Sequence, residues 1–113
     1  MPDSKPDTDA FFRLSLDLLF IADAKGRFLR VNPAFSDVLG YAERDLRGTP
    51  LTDYLHPEDL QQAVDALDRA TGGEAIRDLE NRFDCADGST RWLSWRATWD
   101  PQTEALYGSA REI

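Results

Sequence analysis

Residues 76–113, with the sequence IRDLENRFDCADGSTRWLSWRATWDPQTEALYGSAREI, decide the fold because extended runs alternate there with turn signals. Ala86-Asp87-Gly88-Ser89 is a strong hairpin signal, since Asp and Gly adopt the backbone angles that tight turns need. The run over residues 91–99 is rich in Trp and Thr, which favour strands. A second turn follows at Asp100-Pro101-Gln102-Thr103. Residues 76–84, 91–99 and 105–113 are therefore predicted to form three antiparallel strands.

The residues before this segment carry two shorter strands and several helix signals. Apolar runs at 18–22 and 27–31 flank the turn Asp23-Ala24-Lys25-Gly26, which predicts a hairpin. Asn32-Pro33 and His56-Pro57 are each typical of a helix start, because Pro loses no hydrogen bond at the first helical position. Asn32 is predicted to cap the first helix. The second helix, over residues 58–71, carries an apolar stripe of Leu60, Ala63, Val64, Leu67 and Ala70.

The N-terminal sequence becomes amphipathic from Thr8 onward. Residues 1–9 are rich in Pro, Asp and Ser and are predicted to be a flexible linker ahead of a single domain over residues 10–113. Phe11, Leu14 and Leu18 follow helical spacing, with Thr8 or Asp9 as the N-cap. Strands, then helices, then strands predict an α+β domain with helices on one face of a five-stranded sheet.

The composition excludes several classes of function. The chain has 113 residues and a formal net charge of −8, so it repels phosphate backbones and anionic membranes. Cys85 is the only cysteine and His56 the only histidine, which excludes an internal disulfide and metal sites built from several cysteines or histidines. No apolar run approaches the ~18 residues of a membrane span and no signal peptide is found. We therefore expect a cytoplasmic domain without metal, nucleic acid or direct membrane contact.

Five stretches, in this order, resemble the PAS sensor domain. They are Leu19-Phe20-Ile21-Ala22-Asp23 with Gly26 and Val31-Asn32-Pro33-Ala34-Phe35; Leu39-Gly40-Tyr41 with Leu46 and Gly48; His56-Pro57-Glu58-Asp59; Asp87-Gly88-Ser89 with Arg91-Trp92; and Gly108 with Arg111-Glu112-Ile113. Together they cover residues 11–113. The resemblance implies a five-stranded antiparallel sheet in the spatial order 2-1-5-4-3. It also implies that the helices form a cup over one face and that the other face often serves dimers.

The resemblance argues against a cofactor. PAS domains that bind haem use a histidine on the long helix, whereas residues 58–71 contain none and His56 lies just before them. In the flavin-binding light-oxygen-voltage branch, the positions of the photoactive cysteine and its polar neighbour correspond here to Leu51 and Pro50. The polar positions that hold the flavin ring correspond to Phe83, Leu93 and Ala110. A flavin would leave buried polar groups without partners, so neither haem nor flavin is expected.

His56 and Cys85 are the two side chains with chemistry of their own. His56 beside Glu58 or Asp59 is a candidate general base, and a helix-start residue is the alternative. Cys85 is a candidate reactive thiol, and a small residue that fills space in a strand is the alternative. Because no nucleophile motif or Gly-rich phosphate loop accompanies them, we expect no catalytic residue and no enzymatic activity in this domain.

The tryptophans divide between the two faces of the predicted sheet. Period two places Leu93 and Trp95 on one face and Trp92 on the other, and the resemblance puts Leu93 on the cup side. Trp95 is then either core or part of a ligand-stacking box with Phe35, Tyr41 and Phe83. The candidate cup lining is Phe20, Ala22, Val31, Phe35, Leu39, Tyr41, Leu67, Phe83, Leu93, Trp95 and Ala110. Trp92 needs a cover, either the N-terminal helix or a second subunit, so the candidate interface residues are Phe11, Phe12, Leu16 and Trp92.

Two functions follow from the resemblance. The first is a sensory module of a bacterial-type multidomain signalling protein, which binds a small ligand in the cup or forms a homodimer. It passes its signal to an output domain after Ile113, such as a histidine kinase or a diguanylate cyclase. The second is a ligand-free dimerisation spacer. A cup closed by Phe35, Phe83 and Trp95, with Trp92 buried between subunits, favours the spacer. A cavity of a few hundred Å³ favours the sensor.

Overall fold

The computed structural model describes residues 7–113, so the first six residues of the predicted linker lie outside the described residues. Its helices and strands, in chain order, are α1 (Thr8–Leu14), β1 (Leu18–Ala22), β2 (Phe28–Val31), α2 (Ala34–Leu39), α3 (Glu43–Leu46), α4 (Leu60–Thr71), β3 (Ile76–Asp84), β4 (Thr90–Asp100) and β5 (Ala105–Glu112). Two 3-10 turns, Leu51–Tyr54 and Pro57–Asp59, precede α4. The strands form one antiparallel sheet in the order β2-β1-β5-β4-β3, which confirms the predicted α+β architecture.

The centre of the sheet is β5, which pairs with β1 on one side and β4 on the other. Gly108 lies opposite Phe20 of β1 and Ala97 of β4. A Cβ atom at Gly108 would lie 2.5 Å from the Arg96 carbonyl oxygen and 2.5 Å from the Phe20 ring. Only glycine fits this position, and its missing side chain lets the Phe20 ring pack directly against the β5 backbone.

Asn32 does not cap α2 through its side chain, contrary to the prediction. Its Oδ1 accepts a hydrogen bond from the Leu19 N–H at 3.0 Å, and its Nδ2 donates to the Asp17 carbonyl at 2.9 Å. The buried amide therefore ties the start of β1 to the end of β2, where no strand partner could satisfy these backbone groups. The predicted end of α2 is confirmed, because Gly40 adopts a φ of +84° and donates its N–H to Ser36.

The N-terminal helix is shorter than its apolar pattern predicts. Asp7 is the N-cap, and its carboxylate accepts the Asp9 N–H at 2.9 Å, so Thr8 is already helical. The helix ends at Leu14, and Leu18 belongs to β1. No residue of α1 is buried. A helix of seven residues is marginal by itself, so its position depends on contacts with β2.

The long helix α4 lies on the cup side of the sheet, and its buried face differs in part from the predicted stripe. Ala63, Leu67 and Ala70 are buried as the spacing predicts, together with Ala66. Leu60 and Val64 are exposed instead. The face that packs is centred on positions 63, 66, 67 and 70, which leaves Leu60 and Val64 at its solvent margin. Most of this face consists of alanines, so α4 approaches the sheet with small side chains.

Candidate functional site on the two faces of the sheet

The predicted cup lining comes together in one hydrophobic cluster on the helical side of the sheet. Every predicted lining residue except Tyr41 is buried there, and Tyr41 packs against the cluster as a partly buried residue. The cluster also contains large residues that the sequence reasoning did not include, namely Leu18, Phe28, Leu46, Leu55 and Leu106. Leu106 shares the inward face of β5 with Ala110, so strand periodicity could have identified it. Phe28 is three residues from the inward Val31, and it turns inward only because the pairing of β1 with β2 shifts between Ile21 and Ala22.

A continuous series of aromatic rings fills the cup. Phe35, Phe28, Phe20 and Trp95 follow one another with ring centroids 5.5–6.0 Å apart. Phe83 then contacts Trp95 at 5.8 Å, and Tyr54 stacks on Phe83 at 5.3 Å. Tyr41 completes the series with its ring 5.0 Å from Tyr54. Offset and edge-to-face contacts at these distances are favourable, so the aromatic side chains pack against one another across the cup.

Trp95 has a buried polar partner. Its indole Nε1–H donates to Asn81 Oδ1 at 2.7 Å, and both residues are almost fully buried. Asn81 was not among the predicted site residues. The only signal was a polar residue at an inward position of β3, opposite Leu93. The hydrogen bond satisfies the one polar group that a tryptophan brings into an apolar core, and it fixes the orientation of the indole ring.

Little empty space remains in the cup. A void of about 20 Å³ lies between α4 and the sheet. Its lining is Phe20, Leu51, Ala63, Leu67, Ile76, Leu79, Asn81, Trp95, Ala97 and Leu106. A void needs about 10–15 Å³ to hold one water molecule, so this space admits no larger ligand as it stands. Leu51, the residue at the flavin-cysteine position, is buried in this wall.

The two chemically distinctive side chains have structural partners. His56 Nδ1 accepts the Glu58 N–H at 3.1 Å, as expected of a helix-start residue. Cys85 is buried, with its Sγ 3.9 Å from the Phe83 carbonyl oxygen. Burial raises the pKa of the nearby Tyr41, whose hydroxyl donates to the Asp84 carbonyl at 2.7 Å. Within residues 7–113, no three His, Cys, Asp or Glu side chains are grouped to hold a metal ion.

An ion pair joins the start of α4 to the edge of the sheet. Asp59 accepts hydrogen bonds from the Arg82 N–H at 2.8 Å, from its Nε at 3.0 Å and from its NH2 at 2.8 Å. These bonds lower the pKa of Asp59 and raise the pKa of Arg82. The same guanidinium lies 5.1 Å from the ring centroid of Trp92, the cross-strand neighbour of Arg82. Arg82 therefore connects the start of α4 to the Trp92 ring at the edge of the sheet.

Three of the four side chains predicted for an interface are exposed. Trp92 is 48% exposed, Phe11 79% and Leu16 93%, and Tyr107 of β5 is also exposed. Phe12 is partly covered, because the Arg30 guanidinium lies 4.2 Å from its ring centroid.

Helix α1 is not the cover of Trp92. Arg30 of β2 contacts two residues of α1: it donates a hydrogen bond to Asp9, and its guanidinium lies over the Phe12 ring. These two contacts hold α1 against β2. Trp92 lies on β4, three strands away from β2 in the sheet. Strands are about 4.8 Å apart, which separates α1 from Trp92 by roughly 14 Å across the sheet.

No helix in the described part of the chain is long and apolar enough to cross a membrane. Two of the curated proteins that are similar to this chain are a sensor kinase and a probable cyclase. The sensor histidine kinase TmoS of Ectopseudomonas mendocina is 32% identical over 77 residues, which cover 67% of this chain and 8% of that protein. The probable diguanylate cyclase DgcE of Escherichia coli (strain K12) is 26% identical over 91 residues, covering 76% of this chain and 8% of that protein. The chain thus spans a small part of both relatives.

Solved structures and a family model agree with the fold. A domain of a sensory box sensor histidine kinase/response regulator from Geobacter sulfurreducens matches with a TM-score of 0.81 and 29% identity, covering 91% of this chain and 89% of that one. The PAS domain of an HTR-like protein from Haloarcula marismortui matches with a TM-score of 0.76 and 24% identity, covering 93% of each chain. A family model described as "PAS fold" matches residues 28–105. With its sheet order, its cup and most of its length matched, the chain belongs to the PAS family of sensory domains.

Proposed function

We propose that this domain is a non-catalytic regulatory module of a larger signalling protein, and that it pairs with a second copy through its outer face. The observation that carries the proposal is the contrast between the two faces. The cup retains a void of only about 20 Å³, whereas Trp92 and Tyr107 are exposed on the outer face. Tyr107 pairs with Thr98, six residues along β4 from Trp92, so the two rings lie about 20 Å apart on this face. Exposed aromatic side chains are enriched at interfaces between proteins, and an interface that covers this face reaches both rings.

The position of Trp92 supports a relay through the last strand. The Ile113 N–H donates to the Trp92 carbonyl at 3.1 Å, and Glu112 forms an ion pair with Arg91 at 2.7 Å. A second copy that binds at Trp92 therefore contacts the strand neighbour of residues 112–113. We expect this edge of the sheet to have two arrangements that bind the second copy with different affinities. Binding of the second copy then increases the population of the arrangement that it binds more tightly. An output domain of histidine kinase or diguanylate cyclase type, linked after Ile113 in the cytoplasm, receives that shift.

Native mass spectrometry of the protein purified from cells tests this proposal, because it reads subunit number and retained ligand together. We expect a dimer at micromolar concentration with no retained small molecule. Trp92→Ser is expected to shift the population to monomer. Val64→Ser is the matched control, since Val64 is similarly exposed but lies on α4, on the helical side. A wild-type monomer, or a dimer unaffected by Trp92→Ser, contradicts the proposal.

Ligand sensing in the cup is the second candidate function, and a specific observation favours it. The remaining void is apolar and borders Trp95, Asn81 and, on α4, Ala63 and Leu67. An outward shift of α4 would enlarge this void at the cost of the hydrogen bond from Gln62 Nε2 to the Glu80 carbonyl of β3. A small molecule retained in the same mass spectra and lost in Trp95→Ala, but kept in Trp92→Ser, would support this candidate over the first.

A further inference from the structure

A thin wall separates the void in the cup from a groove at the surface. The groove, of about 430 Å³, lies between the end of α4 and the start of β3 and is open to solvent. Its lining is Ala66, Arg69, Glu74, Ala75, Ile76, Arg77 and Leu79. Only Ile76 and Leu79 line both the groove and the void of about 20 Å³. Both side chains are partly buried, so they form the wall between outside and inside.

The backbone of this wall is irregular. Ile76 pairs with Ala97 and Leu79 with Trp95, so the register shifts between them and residues 77–78 form a bulge. Asp78 adopts a φ of +50°, which costs a residue other than glycine about 1 kcal/mol or more. A bulge interrupts the ladder of hydrogen bonds at the sheet edge. The wall is therefore held less firmly than the regular part of β3.

The end of α4 that faces the wall contributes mainly small side chains. Ala66 and Ala70 are buried in this half of the helix, and Leu67 is the one large buried side chain of α4. Alanine buries little apolar area, so the main hydrophobic cost of moving this end of α4 away from β3 is the exposure of Leu67. The hydrogen bonds of Asp59 and Gln62 to β3 lie at the other end, at the start of α4. Rotation of the Ile76 and Leu79 side chains, together with such a movement, joins the groove to the void.

The charges at the groove indicate the class of ligand. Arg69 and Arg77 line the groove with a single acidic side chain, Glu74, whose Oε2 lies 3.4 Å from Arg69 Nε. Arg77 forms no ion pair with any residue in the range 7–113, and the neighbouring Asp78 pairs with Arg96. An excess of positive charge is unusual on a chain with a net charge of −8. Guanidinium groups bind carboxylates through paired hydrogen bonds.

We propose that this groove is the portal of the cup and that it takes an amphipathic carboxylate. Its head group binds Arg77 and Arg69, and its apolar chain passes between Ile76 and Leu79 into the void beside Trp95. This inference rests on the second candidate function, ligand sensing in the cup. It adds the route of access, the residues at the mouth and the chemistry of the ligand.

Decanoate, decanol and acetate are the probes, titrated into the purified chain while tryptophan fluorescence and heat of binding are followed. We expect decanoate to bind and to change the fluorescence, and acetate to do neither. Decanol is expected to bind at least tenfold more weakly than decanoate because it lacks the carboxylate. The fluorescence change is expected to be lost in Trp95→Phe and kept in Trp92→Phe, which locates the apolar chain in the cup.

Variants separate the portal from the cup. Arg77→Gln is expected to weaken decanoate binding at least tenfold, whereas Arg44→Gln, an exposed arginine on α3, leaves it unchanged. Leu79→Ala is expected to accelerate association. If decanoate binds but Arg77→Gln and Leu79→Ala have no effect, the portal is overturned while ligand sensing stands. If decanoate binds neither the wild type nor Leu79→Ala, the inference fails. Ligand sensing in the cup still stands in that case if native mass spectra show a small molecule retained from cells.

Discussion

Trp95 and Trp92 lie three residues apart on β4, and they show how differently the two faces of the sheet are used. Trp95 is 4% exposed, with its indole bonded to Asn81 and in contact with two phenylalanine rings. Trp92 is 48% exposed, and the structure gives it one partner for its ring, the Arg82 guanidinium. Trp95 therefore contributes to the packing of the core, whereas the ring of Trp92 is accessible to a binding partner.

The two faces of this domain differ in how much apolar area they bury within one chain. On the cup face, apolar side chains are buried against other parts of the chain and contribute to the free energy of unfolding. On the outer face, Trp92 and Tyr107 remain exposed, and in the function proposed above a second copy covers them. Substitutions on the cup face should therefore change the free energy of unfolding, whereas substitutions on the outer face should change association.

Trp95→Ala should give the largest loss of stability. Removing a buried indole creates a cavity and leaves Asn81 Oδ1 without its donor, so we expect the free energy of unfolding to fall by about 3–5 kcal/mol. Trp92→Ala is the matched variant on the other face, with an expected loss below about 1 kcal/mol. Urea denaturation of both variants at a concentration where the protein is monomeric makes the measurement. Equal losses would show that the two faces do not differ as described.

Gly108→Ala should give the next largest loss. The added methyl group would lie 2.5 Å from the Arg96 carbonyl oxygen and from the Phe20 ring, so the sheet or the ring has to shift. We expect a loss of about 1–3 kcal/mol, as for other overpacked sites. Ser109→Ala, on the neighbouring position of β5 that faces outward, is the control and should change stability by less than about 0.5 kcal/mol. A harmless Gly108→Ala would mean that the cup is less tightly packed than its rings indicate.

Asp59→Asn should give a loss that depends on pH. The pKa of Asp59 is lowered in the folded protein by its hydrogen bonds with Arg82. Its contribution is therefore fully present above the unfolded pKa of about 3.9 and is lost as the pH falls through the lower, folded value. At neutral pH we expect a loss of about 1.5–3 kcal/mol, the range for hydrogen bonds to charged groups.

The pH dependence of Asp59→Asn has its own control. The difference in stability between wild type and variant should shrink as the pH is lowered below about 4, because the unfolded chain then binds a proton at Asp59 that the folded protein binds only at lower pH. Asp68→Asn, at an exposed position of α4 without an ion pair in the described residues, should follow the wild type throughout. Chemical denaturation between pH 3 and 7 decides the matter, and a constant difference over this range would refute the role of the Asp59 charge.

The sequence was sufficient for the architecture because its turns are locally encoded. Asp87-Gly88 and the Gly40 helix end act through backbone angles of their own residues, and the order of strands follows from the resemblance that these signals carry. The inward residues of β4 followed from period two. These features needed no knowledge of distant contacts.

The parts that sequence reasoning missed depend on contacts between distant segments. Asn32 was predicted to cap a helix, but its partners belong to residues 17–19, which no local rule identifies. Asn81 is recognised only when Trp95 is placed opposite the same stretch of β3. Tyr54 reaches the cup from a 3-10 turn, where no periodic pattern marks an inward side chain. The size of the remaining void likewise depends on how all the rings pack at once.

Sedimentation equilibrium of the wild type and Trp92→Ser, over a range of micromolar concentrations, tests the central claim most directly. We predict that the wild type associates to a dimer and that Trp92→Ser remains monomeric, while the urea midpoint of the variant stays close to that of the monomeric wild type. A wild type that is monomeric at every concentration, or a Trp92→Ser variant that dimerises as well as the wild type, would contradict the account.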